Sequence, residues 1–174
     1  VVSVATRENK AGRSRNPSSA SGFLGVTLEP SEKGPVISMV EKDSSAAMAG
    51  VVRHAVTSPG QSSYGRHIVV EHTGLAPSLY TLYAHLARVE PGIRPGVTVN
   101  AGQTLGLMGH SSGGYMIPVA RAHLHFEIGL AITSDFQTWY ERRRFGSRNE
   151  HGMWNGMNLV GIDPVSFFDS WRAG

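Results

Sequence analysis

Two histidines one residue apart, followed at the same spacing by a carboxylate, run through Ala122-His123-Leu124-His125-Phe126-Glu127-Ile128. Apolar and polar residues alternate there, the pattern of a half-buried β-strand. Residues two apart on a strand share a face, so both imidazoles and the Glu127 carboxylate project the same way. Neighbouring imidazoles suit a hydrolytic site, where one binds a metal and the other moves a proton or steadies an oxyanion. A polar strand face turned to water gives the same pattern, so the surrounding sequence has to decide.

Composition narrows the choice. A chain of 174 residues is one domain, or one domain plus a fragment. The 40% apolar content supplies a core, and 21 glycines with 9 prolines point to a turn-rich β fold. There is no cysteine, so any metal must sit on His, Asp or Glu. No apolar run approaches the roughly 18 residues of a membrane span. The formal charge of +3 suits an anionic partner such as cell-wall polymer or nucleic acid. The dense Arg142-Arg143-Arg144 cluster reads as a solvated helix face, and no nucleic-acid partner is inferred from it. The chain begins at Val1 without Met or leader and reads as an excised piece, so a missing signal peptide says nothing about destination.

The elements that must position the histidines follow in order. Val1–Ala5 is a strand candidate, and Arg7–Ser21 is a polar loop. From Gly50 onward the chain is continuously β, with strands over Val51–Val56, Arg66–His72, Leu79–Leu86 and Thr104–Met108. Gly109–Gly114 is a glycine-serine loop before the His-x-His strand. Ser134-Asp135 opens a helix carrying Phe136, Trp139 and Tyr140. Asp163-Pro164 opens a last helix with an apolar stripe of Val165, Phe168 and Trp171.

Several segments in order carry a resemblance. They are Ser63-Tyr64-Gly65-Arg66-His67-Ile68-Val69-Val70-Glu71-His72, Tyr80-Thr81-Leu82-Tyr83-Ala84-His85-Leu86, Val99-Asn100-Ala101-Gly102-Gln103-Thr104-Leu105-Gly106, and His123-Leu124-His125-Phe126-Glu127. Together they closely resemble the lysostaphin-type (LytM-like) zinc metallopeptidases, over about residues 46–170. The resemblance implies a mostly β fold, of the duplicated-hybrid-motif kind, whose antiparallel sheets form a groove, with one or two short helices near the C-terminus. It implies His125 as a zinc ligand, with His85 and His123 as the catalytic pair. It also implies peptide cross-bridges of bacterial peptidoglycan as substrate, in the periplasm or outside the cell. His72 is expected to be structural, and His110 a candidate for the groove wall. Glu127 is expected beside the site rather than on the metal. His54, His67 and His151 are expected as surface or packing residues.

One part of the family pattern is missing. The family takes two further zinc ligands from an upstream His-x-x-x-Asp, and the nearest alignment puts Phe23 and Thr27 there. Phe has no donor atom, and a Thr hydroxyl is a poor zinc ligand. Gly22-Phe23-Leu24-Gly25-Val26, Gly34-Pro35-Val36-Ile37-Ser38-Met39-Val40 and Ser44–Val51 instead resemble the first half of a bacterial PDZ domain, a peptide-binding fold. The expected division is an N-terminal segment, 1–45, and a peptidase domain, 46–174. The expected activity is zinc-dependent peptidoglycan endopeptidase by family, weak or lost in this chain. The rivals are a non-catalytic domain that binds cell wall or regulates an amidase, a PDZ-type module, and an enzyme recruiting His110 or His54 as replacement ligands.

Overall fold

A computed structural model describes residues 20–21, 26–29, 36–40, 49–73 and 77–173. Three short strands, β1 (Ala20–Ser21), β2 (Val26–Glu29) and β3 (Val36–Val40), pair antiparallel in one small sheet. The expected Val1–Ala5 strand lies outside the described residues, and so does most of the PDZ-like stretch. A seven-stranded antiparallel sheet makes the body. Its strands are β4 (Gly50–Val56), β5 (Arg66–His72), β6 (Leu79–Val89), β7 (Thr98–Val99), β8 (Gly106–Met108), β9 (His125–Ala131) and β10 (Leu159–Ile162). Their order is β10-β9-β6-β5-β4-β7, with β8 on the far end of β6. Two helices follow the sequence signals: α1 (Phe136–Arg143) and α2 (Pro164–Ala173). Asp163 caps α2 by accepting the Val165 and Ser166 amides, each at 3.2 Å. The mostly β, antiparallel expectation therefore holds. Three strands shift at a boundary: Leu79–Leu86 runs on to Val89, Thr104–Met108 shortens to β8, and the His-x-His strand starts at His125, leaving His123 just before it.

The period-two pattern sorts the sheet into two faces. Ile68, Tyr83 and Phe126 lie in register across β5, β6 and β9. They carry one face into the core, where Val52, Val70, Leu86 and Val99 pack on one side and Ile128 and Phe168 of α2 on the other. Each fully buried aliphatic or aromatic side chain of this kind stabilises the fold by roughly 1.5–3 kcal/mol. The opposite face has His54, Val69, Leu82 and Glu127 in register across β4, β5, β6 and β9, and Ala84 beside His125. Paired residues share a face, so the polar chemistry of the chain collects on this side. Val69, Tyr80, Leu82 and Ala84 form its apolar floor, covered by Tyr64, Trp154 and Leu159.

Strand alternation alone would turn His85 away from this face, because its neighbour Ala84 points into it. The sheet solves this with an extra residue. Arg66 pairs with Leu86 and Ile68 with Tyr83, so two steps of β5 span three of β6. His85 lies inside that bulge at φ +60°, the left-handed region that L-residues with a β-carbon avoid. Its amide donates to the Tyr64 carbonyl at 3.0 Å. Its Nδ1–H donates to the Ser111 carbonyl at 2.8 Å. Ser111 is itself fixed: its hydroxyl donates to the Leu86 carbonyl at 2.7 Å and accepts the Arg66 amide at 2.9 Å. Gly65 makes room for this loop, since a β-carbon there would fall 2.2 Å from the Ser111 oxygen.

The expected structural role of His72 agrees with its surroundings. It is buried, its Nδ1–H donates to the Ala49 carbonyl at 3.0 Å, and its Nε2 accepts the Thr81 hydroxyl at 2.9 Å. Burial pushes its pKa below the ordinary 6.5.

Two outcomes test these features. Because glycine tolerates φ near +60° and a β-branched residue does not, His85→Gly should unfold in urea within about 1 kcal/mol of the parent, and His85→Val should cost on the order of 2 kcal/mol. Because His72 is neutral when folded, the unfolded chain binds more protons just below pH 6.5. Stability should therefore fall as pH drops through about 6.5. The fall should be shallower in His72→Gln, measured by denaturant titration at several pH values.

Candidate active site

The three imidazoles singled out in the sequence meet. The His85 ring centroid is 5.0 Å from that of His123 and 5.6 Å from that of His125. They line a cleft of about 450 Å³, with Tyr64 and Arg121 on its walls and Tyr115 and Met116 exposed at its rim. Each element contributes by a different device. The β6 bulge aims His85, and the pleat of β9 places His125. His123 is held just before β9 by its amide on the Gly109 carbonyl at 3.1 Å.

Hydrogen bonds settle which ring nitrogen is free. A carbonyl oxygen only accepts, so Nδ1 of His85 carries a proton toward Ser111, and Nδ1 of His123 carries one toward Arg121 at 2.8 Å. Both Nε2 atoms are left with a lone pair for a proton from bound peptide or water. Burial, then the neighbouring His123 and His125, lower the His85 pKa despite its hydrogen bond to Ser111. Its ring is thus neutral at physiological pH.

His125 is built the other way round. Its Nε2 donates to Glu127 Oε1 at 2.7 Å, so in the neutral ring the lone pair is on Nδ1. A metal-ligating imidazole commonly has this arrangement, one nitrogen on a carboxylate and the other free. Glu127 also accepts the hydroxyls of Tyr64 at 2.8 Å and Tyr80 at 3.2 Å. Burial pushes the Glu127 carboxyl up, but the bonds from His125, Tyr64 and Tyr80 outweigh it and hold it below the usual range. Burial first, and the Glu127 charge second, raise both tyrosines well above 10. Glu127 therefore stands beside the cleft as an ionised anchor, as expected.

The donors around His125 among the described residues do not complete a zinc site. Among the described residues, the group of three His, Cys, Asp or Glu donors close enough to share a metal lies elsewhere. Residue 23 is outside the described residues, and Thr27 on β2 supplies no imidazole or carboxylate. His110 does not line the cleft; it is exposed, with its Nδ1–H on the Ile117 carbonyl at 2.9 Å.

The group that does gather is His54, His67 and His151, whose ligand atoms all lie within 4.8 Å of one another. The sequence expectation, surface or packing residues, did not bring the three together. His67 is only 1% exposed, and His54 and His151 are half-buried. Burial first, then the neighbouring imidazoles, lowers the His54 pKa to about 4. Burial also lowers that of His67 to about 4, against its hydrogen bond to Gly65. The Tyr64 ring stands between the two groups, 5.5 Å from His67 and 5.3 Å from His125.

Sequence reasoning missed Tyr64 and Ser111 as supporting residues. Tyr64 stood inside a family-like segment without a role, and Ser111 was one serine of a glycine-serine loop. It also missed the three-histidine group, since no spacing signal joins its members.

The family model described as Peptidase family M23 matches residues 30–134. The match begins inside the stretch compared above with half a PDZ domain, a likeness that these comparisons do not support. Among curated proteins none matches the chain. Two solved structures are similar to it. A lytM protein of Ruminococcus gnavus is 20% identical over 84% of this chain and 42% of its own, with a TM-score of 0.43. Csd3 of Helicobacter pylori is 16% identical over 86% of this chain and 32% of its own, with a TM-score of 0.36. The chain thus spans less than half the length of either. No helix among the described residues is long and apolar enough to cross a membrane. With the family match covering more than half of its length, the chain belongs to Peptidase family M23.

Proposed function

We propose that residues 46–174 form a domain that binds the peptide cross-bridges of bacterial peptidoglycan, outside the cytoplasm, with a metal site too incomplete for efficient hydrolysis. One observation carries this reading: His125 has the free Nδ1 and the Glu127 partner of a zinc ligand, yet among the described residues no group of three donors forms around it. A catalytic zinc takes three protein ligands and an open position for water. When bound, zinc lowers the pKa of that water toward neutrality. One imidazole does not hold it tightly. The cleft keeps what peptide binding needs. The Nε2 lone pairs of His85 and His123 accept peptide N–H groups, Arg121 offers a cation to peptide carboxylates, and Tyr115 and Met116 give an apolar rim.

A second reading is favoured by the fixed ring of His125. In it the chain is an active zinc metalloendopeptidase, with His125 as ligand and His85 and His123 as the catalytic pair.

Sedimentation with isolated peptidoglycan, and release of soluble peptide in the presence of zinc, separate the two. The expected outcome is co-sedimentation that His123→Ala weakens about five-fold or more, with no peptide release above a chain-free control. Zinc-dependent release that His125→Ala abolishes would establish the enzyme instead. Failure to co-sediment, with no release, would overturn both.

A further inference from the structure

The polar face of the sheet holds a second group of histidines that the cleft does not use. His54 is on β4, His67 on β5, and His151 in the turn after α1, so three separate parts of the chain converge. Three features of the group point to a ligand. His54 Nε2 and His151 Nδ1 face each other at 3.1 Å. In tetrahedral zinc with Zn–N bonds of about 2.0–2.1 Å, adjacent nitrogens are about 3.3 Å apart, so these two already have the spacing of ligands. His67 is the second feature. Its Nδ1–H is committed to the Gly65 carbonyl at 3.0 Å, which fixes the tautomer with the lone pair on Nε2. The third is orientation. The three rings meet at steep angles, with centroids 5.2–5.7 Å apart, as edge-to-face rings do, and each brings a ligand nitrogen into one common space, all within 4.8 Å of one another.

We propose that His54, His67 and His151 form a zinc-binding site, distinct from the position of His125, with three imidazole ligands and a fourth position open to water. Imidazole donors with no thiolate or carboxylate among them select a borderline divalent ion such as Zn²⁺ over Mg²⁺ or Ca²⁺. Three protein ligands and one open position is the count of a reactive rather than a closed structural site. The ion would also tie the His151 turn to the sheet. That turn carries Trp154, which packs against Tyr80 at 6.4 Å and lies over the apolar floor with Tyr64. Metal at the three histidines would therefore brace the wall shared with the cleft. The expected count of one zinc rests on the proposed function, since a cleft that cuts peptide would hold a second ion through His125.

Zinc titration of the full chain after chelator treatment tests it, by calorimetry and by thermal denaturation. About one equivalent of Zn²⁺ should bind at neutral pH and raise Tm. His54→Gln and His151→Gln should each weaken binding on the order of 100-fold or more and remove the Tm shift, while circular dichroism stays that of the parent. Both residues are half-buried, so either variant carries the test if the other fails to fold. His110→Gln, outside both groups, should keep the zinc within about three-fold. Co²⁺ in place of zinc should show the intense visible bands of a four-coordinate ion. A chain that binds no Zn²⁺ or Co²⁺ would overturn the proposal. So would zinc lost in His125→Ala yet kept in His54→Gln and His151→Gln.

Discussion

A β-strand offers every second side chain to a given face, and the cleft needs two side chains that this rule keeps apart. Ala84 and His125 are paired neighbours on one face, so regular pleating would send His85 into the hydrocarbon of the other. One additional residue in β6 removes the conflict, at the cost of a left-handed backbone on a residue with a β-carbon. That conformation persists because its surroundings fix it from both sides. The Tyr64 carbonyl holds the amide, the Ser111 carbonyl holds the ring, and Gly65 lets Ser111 approach. The cleft, its neutral imidazole and the gap between His85 and His123 all follow from that displaced strand position.

The second constraint is the half-buried Glu127. A carboxylate at this depth persists only if its charge is met, and three donors meet it: His125, Tyr64 and Tyr80. The same bonds orient the donors. They fix the His125 tautomer and pin the Tyr64 ring where it separates the cleft from the three-histidine group. Removing the carboxylate would leave two phenol hydroxyls and a ring N–H without a partner at once. The network is therefore a coupled unit rather than a sum of pairs.

Legibility in the sequence follows the range of the interactions. Period-two alternation revealed β4 and β5 nearly residue for residue, and β6 and β9 to within about three residues at an end, because one face of each packs on hydrocarbon. The capping signals at Asp135 and Asp163 found both helices. His123 and His125 were visible because they stand two apart in the sequence, one just before β9 and one at its start. His85 was placed with them only through a likeness to a family; nothing in its neighbours announces a bulge. His54 and His151 are 97 residues apart. Only the register of β4 on β5 and the course of the turn after α1 join them, so a reading of local pattern scatters them.

The distribution of imidazoles over this face also bears on what the chain can lose. In a metal site each ligand depends on the others, so replacing two of three leaves the third without its main selective reason to stay. Yet His125 keeps its fixed tautomer, and the carboxylate that fixes it is tied by two tyrosines as well. The physical explanation is that Glu127 needs the His125 N–H whether or not a metal binds: a buried anion with a donor removed costs more than the donor's own contribution. His54, His67 and His151 have no such carboxylate. Their nitrogens face one another, and only one proton can be shared across the 3.1 Å gap between His54 and His151. That proton makes one hydrogen bond between them, and the Nε2 lone pair of His67 adds a further acceptor to the group. A cation between them answers all three at once.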